Sequence, residues 1–163
     1  MKYSKGITMV ALIVTVVIML IIMTVTIEVG KNMIRKAVLE DLKTDMLLLQ
    51  SQTKIISEKN KFGEGELVGT QIDLSSNNTT YTIEGKQYTI PDRLMERLRA
   101  EEAIAEARRE TIVFYILTNE IAGVDTDSQK FYVVNYETGE IYYSQGYVKN
   151  NRVYFTLTEL QGL

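Results

Sequence analysis

The chain has 163 residues, with 18 Lys and Arg against 21 Asp and Glu for a net charge of −3, and it contains neither Cys nor His. Without thiols there are no disulfides, thiol nucleophiles or thiolate metal sites, and without imidazole the commonest neutral-pH base and metal ligand is gone. No Ser-His-Asp or Cys-His relay can be built, and the mildly acidic balance gives no broad basic footprint for nucleic acid.

The chain opens M-K-Y-S-K-G and then runs without a charge from Ile7 to Ile27, where the only polar side chains are Thr8, Thr15, Thr24 and Thr26. As a helix this run is about 31 Å long, which matches a hydrocarbon core of about 30 Å. In lipid the backbone must satisfy its own hydrogen bonds, so helix wins over the β-branched preference for strand. A cleaved secretory signal has a shorter apolar region followed by a small-residue cleavage site, and no such site follows Ile27. A plain signal anchor also fits the length. Lys2 and Lys5 precede the run and Lys31, Arg35 and Lys36 follow it, so the positive-inside rule does not orient it.

The order of parts is distinctive: a short basic leader ends in Gly, and the apolar run starts at once. K-G-I-T-M-V-A-L, Lys5 to Leu12, resembles the leader junction of type IV pilins and pseudopilins. The resemblance implies a leader of residues 1–6, cut by a prepilin peptidase between Gly6 and Ile7, with methylation of the new amine on Ile7. It also implies a retained helix, 7–27, that packs through positions such as Ala11, Leu12, Val16 and Leu20 against other pilin subunits. Membrane lipid, an assembly platform and an ATPase motor are further implied partners, with no cofactor. The C-terminal domain is expected outside the cytoplasmic membrane and, after assembly, at the cell surface. Main subunits of that family carry Glu at the fifth mature position, where this chain has Ala11. That departure suits a minor or initiating subunit or a Gram-positive-type variant.

From Glu28 to Lys61 the chain stays free of Pro. Ile34, Val38 and Leu42, then Leu39, Leu42, Met46 and Leu49, recur at helical spacing, which predicts an amphipathic continuation of the same helix over 28–61. F-G-E-G-E-L at 62–67 punctuates the chain. Strands are expected at 67–74 and 79–90, with a turn at Ser75-Ser76-Asn77-Asn78. Pro91 introduces a helix over 92–110, with helix pairs at Arg97/Glu101 and Glu106/Arg109. A buried strand at 111–117 and a brief helical turn at 118–123 follow. Phe131 to Tyr143 reads as a hairpin turning at Glu137-Thr138-Gly139, and a second hairpin crosses Asn150-Asn151. F-Y-V-V-N-Y-E-T-G-E-I-Y-Y is also similar, more loosely, to the sheet hairpin of Gram-positive pilin-like proteins. The expected fold is α+β: a long N-terminal helix, half membrane and half amphipathic, packed on a small antiparallel sheet in a globular domain over 62–163.

Candidate sites in that domain are modest. Asp125 and Asp127 could offer alternating oxygens to calcium, but the twelve-residue loop pattern is absent and a polar loop is the favoured reading. Asn77 and Asn78 each begin a short N-x-[ST] sequon. Tyr132, Tyr136, Tyr142, Tyr143, Tyr147 and Tyr154 are read as alternating between core and solvated sheet faces rather than as a sugar platform. Arg108 and Arg109 are expected at the surface. The functional expectation is a non-enzymatic filament subunit. Its rivals are a monomeric anchored binding or sensing domain and, against the missing His and Cys, a carboxylate-based hydrolase.

Overall fold

The structure, a computed structural model, describes residues 4–117, 121, 124 and 126–163, with the side chains of 4–8 and 24–29 outside the description. The elements in chain order are α1 (Ser4–Lys61), β1 (Thr70–Gln71), β2 (Thr80–Ile83), β3 (Lys86–Thr89), α2 (Asp92–Ala107), β4 (Phe114–Leu117), β5 (Tyr132–Asn135), β6 (Glu140–Lys149), β7 (Arg152–Thr156) and α3 (Leu157–Gln161). The chain divides into two compact units between Glu40 and Asp41, and α1 contributes to both.

From Met9 to Met23 α1 is apolar and bare. The described large hydrophobic side chains from Met9 to Met23 are 48–71% exposed. Thr15 Oγ1 donates to the Leu12 carbonyl at 2.8 Å, which satisfies its hydroxyl inside the helix. Ile34 and Val38, expected on the buried stripe, are exposed at 65% and 55%. Helix geometry explains the correction. The buried arc of Leu42, Met46, Leu49, Thr53 and Ser57 has a centre that lies ~100° from Ile34 and ~60° from Val38.

The second unit is α+β and has three layers. Its five-stranded antiparallel sheet runs β1-β4-β5-β6-β7. One face carries Tyr132, whose hydroxyl reaches Asp45 of α1, and lies under the α1 segment from Asp41 onward. The other face packs Phe114, Ile116, Val133 and Tyr142 against Leu94, Met95 and Leu98 of α2 and against Tyr88 of the separate β2–β3 hairpin. With both faces covered, β5 is buried along its whole length, and Y-V-V-N reads as a continuous rather than an alternating pattern. Edge-to-face ring pairs, Tyr88–Phe131 at 5.5 Å and Phe114–Tyr142 at 5.8 Å, tie this core together.

Terminators and turns are local. Lys61 ends α1 because Gly63 takes φ +73. Its N–H then reaches the Asn60 carbonyl and that of Glu64 the Lys59 carbonyl, both at 2.9 Å, closing a Schellman motif. Asn150 and Asn151 adopt φ 51 and 63 in the tight β6–β7 turn, as expected, and the β5–β6 turn falls at 136–139. Gly146, at φ +66, sits in a register shift of β6, where a Cβ would run into the Val153 and Phe155 side chains.

Several boundaries differ from expectation. The 67–74 strand shrinks to Thr70–Gln71, because Asp73 Oδ1 accepts from both Ser75 N and Ser75 Oγ and bends the chain away. The single strand expected over 79–90 is a hairpin, folded at Glu84-Gly85 with φ 51 and 78. α2 stops at Ala107. Arg109 turns to φ 62 beyond its end, so the Glu106/Arg109 helix spacing does not exist. The 111–117 strand begins at Phe114. The helical turn expected at 118–123 lies outside the described residues except for Ile121. α3 was not anticipated, although its capping box is visible as Thr156 and Glu159: Glu159 N donates to Thr156 Oγ1 at 3.2 Å, and Thr156 N to Glu159 Oε2 at 3.3 Å.

Candidate functional site

Of the residues singled out by sequence, Gly6 and Ile7 lie within α1, and their surroundings are outside the described side chains. Ala11, Leu12, Val16 and Leu20 are all exposed on the same helix. At ~100° per residue, Leu12, Val16 and Leu20 drift by ~40° each step and share one face, while Ala11 lies ~140° from its centre, toward the opposite side of the helix. Such a surface has two uses: it dissolves in lipid, or it packs against other apolar helices. Among the described residues no helix is long and apolar enough to cross a membrane. The apolar stretch whose side chains are described, 9–23, spans ~22 Å of the ~31 Å expected for 7–27.

In the second unit the tyrosines are structural. Tyr132 donates to Asp45 Oδ2 at 3.2 Å, and Lys130 Nζ lies 3.5 Å from the same oxygen. Burial first, and then the Asp45 charge, push the Tyr132 phenol far above its ordinary value. Tyr142 mirrors it on the opposite face: its hydroxyl donates to Glu101 Oε2, and burial followed by that bond raises it as strongly. Burial pushes Tyr136 up to about 12, and its hydroxyl donates to the Val68 carbonyl at 2.7 Å. These phenols keep their protons at neutral pH and act as hydrogen-bond donors, not as bases. Tyr143, Tyr147 and Tyr154 are half-buried.

Around Tyr142 a polar cluster links three elements. Arg97 lies 3.0 Å from Glu101, as the helix spacing predicts, and 3.3 Å from Glu159 of α3. Glu140 accepts from Thr158 N at 3.3 Å and from Thr158 Oγ1 at 3.0 Å. Each carboxylate is engaged in positioning α2, β6 or α3. On the α1 side a polar cavity of about 470 Å³ is lined by Gln50, Lys54, Ser57, Tyr136 and Thr138. There Gln50 Nε2 donates to the Gly139 carbonyl at 3.1 Å and Ser57 Oγ to the Tyr136 carbonyl at 3.2 Å, stitching helix to turn. Asn135 Oδ1 accepts from Glu137 N and Thr138 N in the same turn, while its buried Nδ2 has no hydrogen-bond partner.

The remaining candidates are turn formers. Asp127 Oδ1 accepts from Gln129 N at 2.7 Å and Lys130 N at 2.6 Å, and the backbone bonds of Lys130 and then Gln129 hold its carboxyl below the usual range. Asp125 is outside the described residues, among which no cluster of three acidic ligands occurs. Asn78 Oδ1 accepts from Thr80 N, so that sequon asparagine is part of a local turn. Arg108 and Arg109 are exposed. The Tyr132–Asp45 and Tyr142–Glu101 pairs escaped sequence reasoning because they join residues 87 and 41 positions apart, and no local spacing signals them. Comparison with protein-family models, with curated proteins and with solved structures finds no match to this chain.

Proposed function

We propose that this chain is a non-catalytic, membrane-anchored subunit of a type IV pilus or pseudopilus-like filament. The reading rests on one observation above the others: an uncharged helical segment with every described large hydrophobic exposed, joined by chain continuity to a compact α+β unit whose own core is already filled. So large an apolar surface is not left to water. The Gly6–Ile7 junction, at the boundary of basic leader and apolar run, favours a processed pilin over a plain signal anchor. Lipid holds the segment before assembly, and the corresponding helices of neighbouring subunits hold it afterwards, in an open heterologous polymer. Ala11 in place of Glu suits a minor or initiating position.

Intact-mass measurement on protein extracted from its native membrane tests this. A mature chain beginning at Ile7 with one added methyl supports processing and assembly. A chain retaining Met1 to Gly6 overturns it in favour of a monomeric anchored domain.

A further inference from the structure

The two sheets of the second unit end in edge strands, β1 and β7 on the larger and β2 and β3 on the smaller. Main-chain groups at an edge pair with any strand that reaches them, so folded proteins blunt such edges. Three of these strands are blunted. β1 is only two residues long. At β7, Phe155 N donates to Glu159 Oε2 at 2.9 Å, and at β2, Thr80 N donates to Asn78 Oδ1 at 3.1 Å.

β3 has no such device. Ile90 N donates to the Thr79 carbonyl at 2.8 Å, which sets the phase of the hairpin ladder. The pairs Tyr81–Tyr88 and Ile83–Lys86 then exchange main-chain hydrogen bonds, and Gln87 and Thr89 turn their N–H and C=O groups outward. Both residues are exposed and uncharged, and among the described residues these outward groups meet no hydrogen-bond partner. The inner side of the strand is fixed: Tyr88 is 3% exposed and packs edge-to-face on Phe131. A bare edge held from behind is what strand addition uses.

The edge matches itself in one register. Centred on Tyr88, an antiparallel second copy sets Gln87 against Thr89 at both ends and uses every one of the outward groups. Slipped toward the turn, Thr89 meets Gly85, whose φ of +78 takes it out of the strand. Slipped the other way, Gln87 meets Pro91, which has no N–H to give. The charges agree with the centred register. Each end brings Glu84 and Lys86 of one copy to Asp92 and Arg93 of the other, equal numbers of each sign, and the residues between are neutral.

We propose that the outer edge of β3, Gln87 to Thr89, is a pairing site for the same edge of a second copy of this chain, joining two hairpins into one continuous sheet. A two-stranded sheet is marginal by itself and gains from added strands. The contact goes beyond the filament reading. It is two-fold and closes on itself, so it joins copies in pairs, whereas a polymer needs heterologous contacts.

The chain has no cysteine, so single introduced thiols report cleanly. Full-length Gln87→Cys and Thr89→Cys chains, one of them isotope-labelled, are mixed in mild detergent and oxidised, and the bridged dimers are sorted by intact mass. In the proposed register Gln87 and Thr89 of opposite copies have Cα atoms about 5.5 Å apart, within disulfide reach, while like positions are about 7–8 Å apart and beyond it. The mixed dimer should therefore exceed the like-bridged dimers roughly fivefold. Random collision gives equal amounts and overturns the proposal. Gln87→Pro supplies a second reading. The Gln87 N–H faces outward, so the hairpin keeps its own ladder while the edge loses a donor and gains a ring. Sedimentation of the cysteine-free chain in the same detergent should show a dimer that Gln87→Pro weakens roughly tenfold or more, with thermal melting little changed. The cross-linking decides whether or not that variant folds. Dimers that a folded Gln87→Pro chain retains are held through another surface; they overturn the edge proposal and leave the anchored reading in place. A chain that stays monomeric overturns the edge proposal as well.

Discussion

The two ends of α1 are built from the same kinds of residue and meet opposite fates. Between Met9 and Met23, Leu, Ile, Val and Met surround the helix and are exposed. Over 42–49 the same residue types divide by face: Leu42, Met46 and Leu49 are buried to 6% exposure or less, while Leu47 and Leu48 are exposed. What separates them is not hydrophobicity but the presence of charged neighbours. Glu40, Asp41, Lys43 and Asp45 break up the apolar surface of the second stretch and leave one arc to be buried, whereas the first has no polar side and no preferred face. A striped helix docks on its own domain; a helix that is apolar all round needs another solvent or other helices.

Substitutions should break that contrast in opposite ways. Met46→Lys puts a charge at a fully buried position and should unfold the second unit, a loss above about 4 kcal/mol seen in denaturant melts. Met46→Ala should cost about 2–5 kcal/mol through the cavity it leaves. Val16→Lys should leave the melting of the second unit unchanged, yet weaken insertion into a bilayer by about 2.5–3.5 kcal/mol, read as a drop in vesicle co-flotation.

Smaller changes sharpen the picture within the second unit. Gly146→Ala should destabilise by about 1–3 kcal/mol, since a Cβ there meets Val153 and Phe155 at a positive φ. Tyr142→Phe should cost about 1–2 kcal/mol by leaving Glu101 without its buried donor, and a double-mutant cycle with Glu101→Gln should recover part of it. The Tyr136 value, raised to about 12 from 10.0, means the folded state prefers the neutral phenol. Its contribution is full below pH ~10 and is lost as pH climbs through about 12. A tyrosinate absorbance titration should therefore show the buried tyrosines ionising only together with alkaline unfolding. Thr156→Ala, removing the α3 cap, should cost about 1 kcal/mol in the same melts.

Much of this was legible in order along the chain. Helix α1, the start of α2 and both C-terminal hairpins follow from spacing, Pro91 and the Asn150-Asn151 turn, because those signals are local. The β2–β3 turn was equally local, but Glu84 in a left-handed conformation is uncommon, and only Gly85 marked it. β1 was overread because its residues favour strand while Asp73 and Ser75 offer the backbone a competing turn. Ile34 and Val38 were misplaced because spacing by fours drifts round a helix, and only the sheet decides which arc is covered. The candidate processing residues are visible in sequence alone. The long-range donors that hold Tyr132 and Tyr142 are not, since which carboxylate meets which phenol is fixed by topology.

The separation of those partners carries a consequence for how the molecule comes into being. The α1 stripe at Leu42, Met46 and Leu49 is synthesised early, yet its anchors at Tyr132, Tyr136 and Gly139 arrive 79 to 89 residues later. High contact order of this kind makes folding slow and leaves apolar surface bare in the meantime. The nascent helix must therefore wait, and an unfinished chain would present a second sticky stripe to whatever chaperone or protease attends it. Disruption of the β5–β6 hairpin should consequently be felt first as lost yield and rapid turnover of the chain.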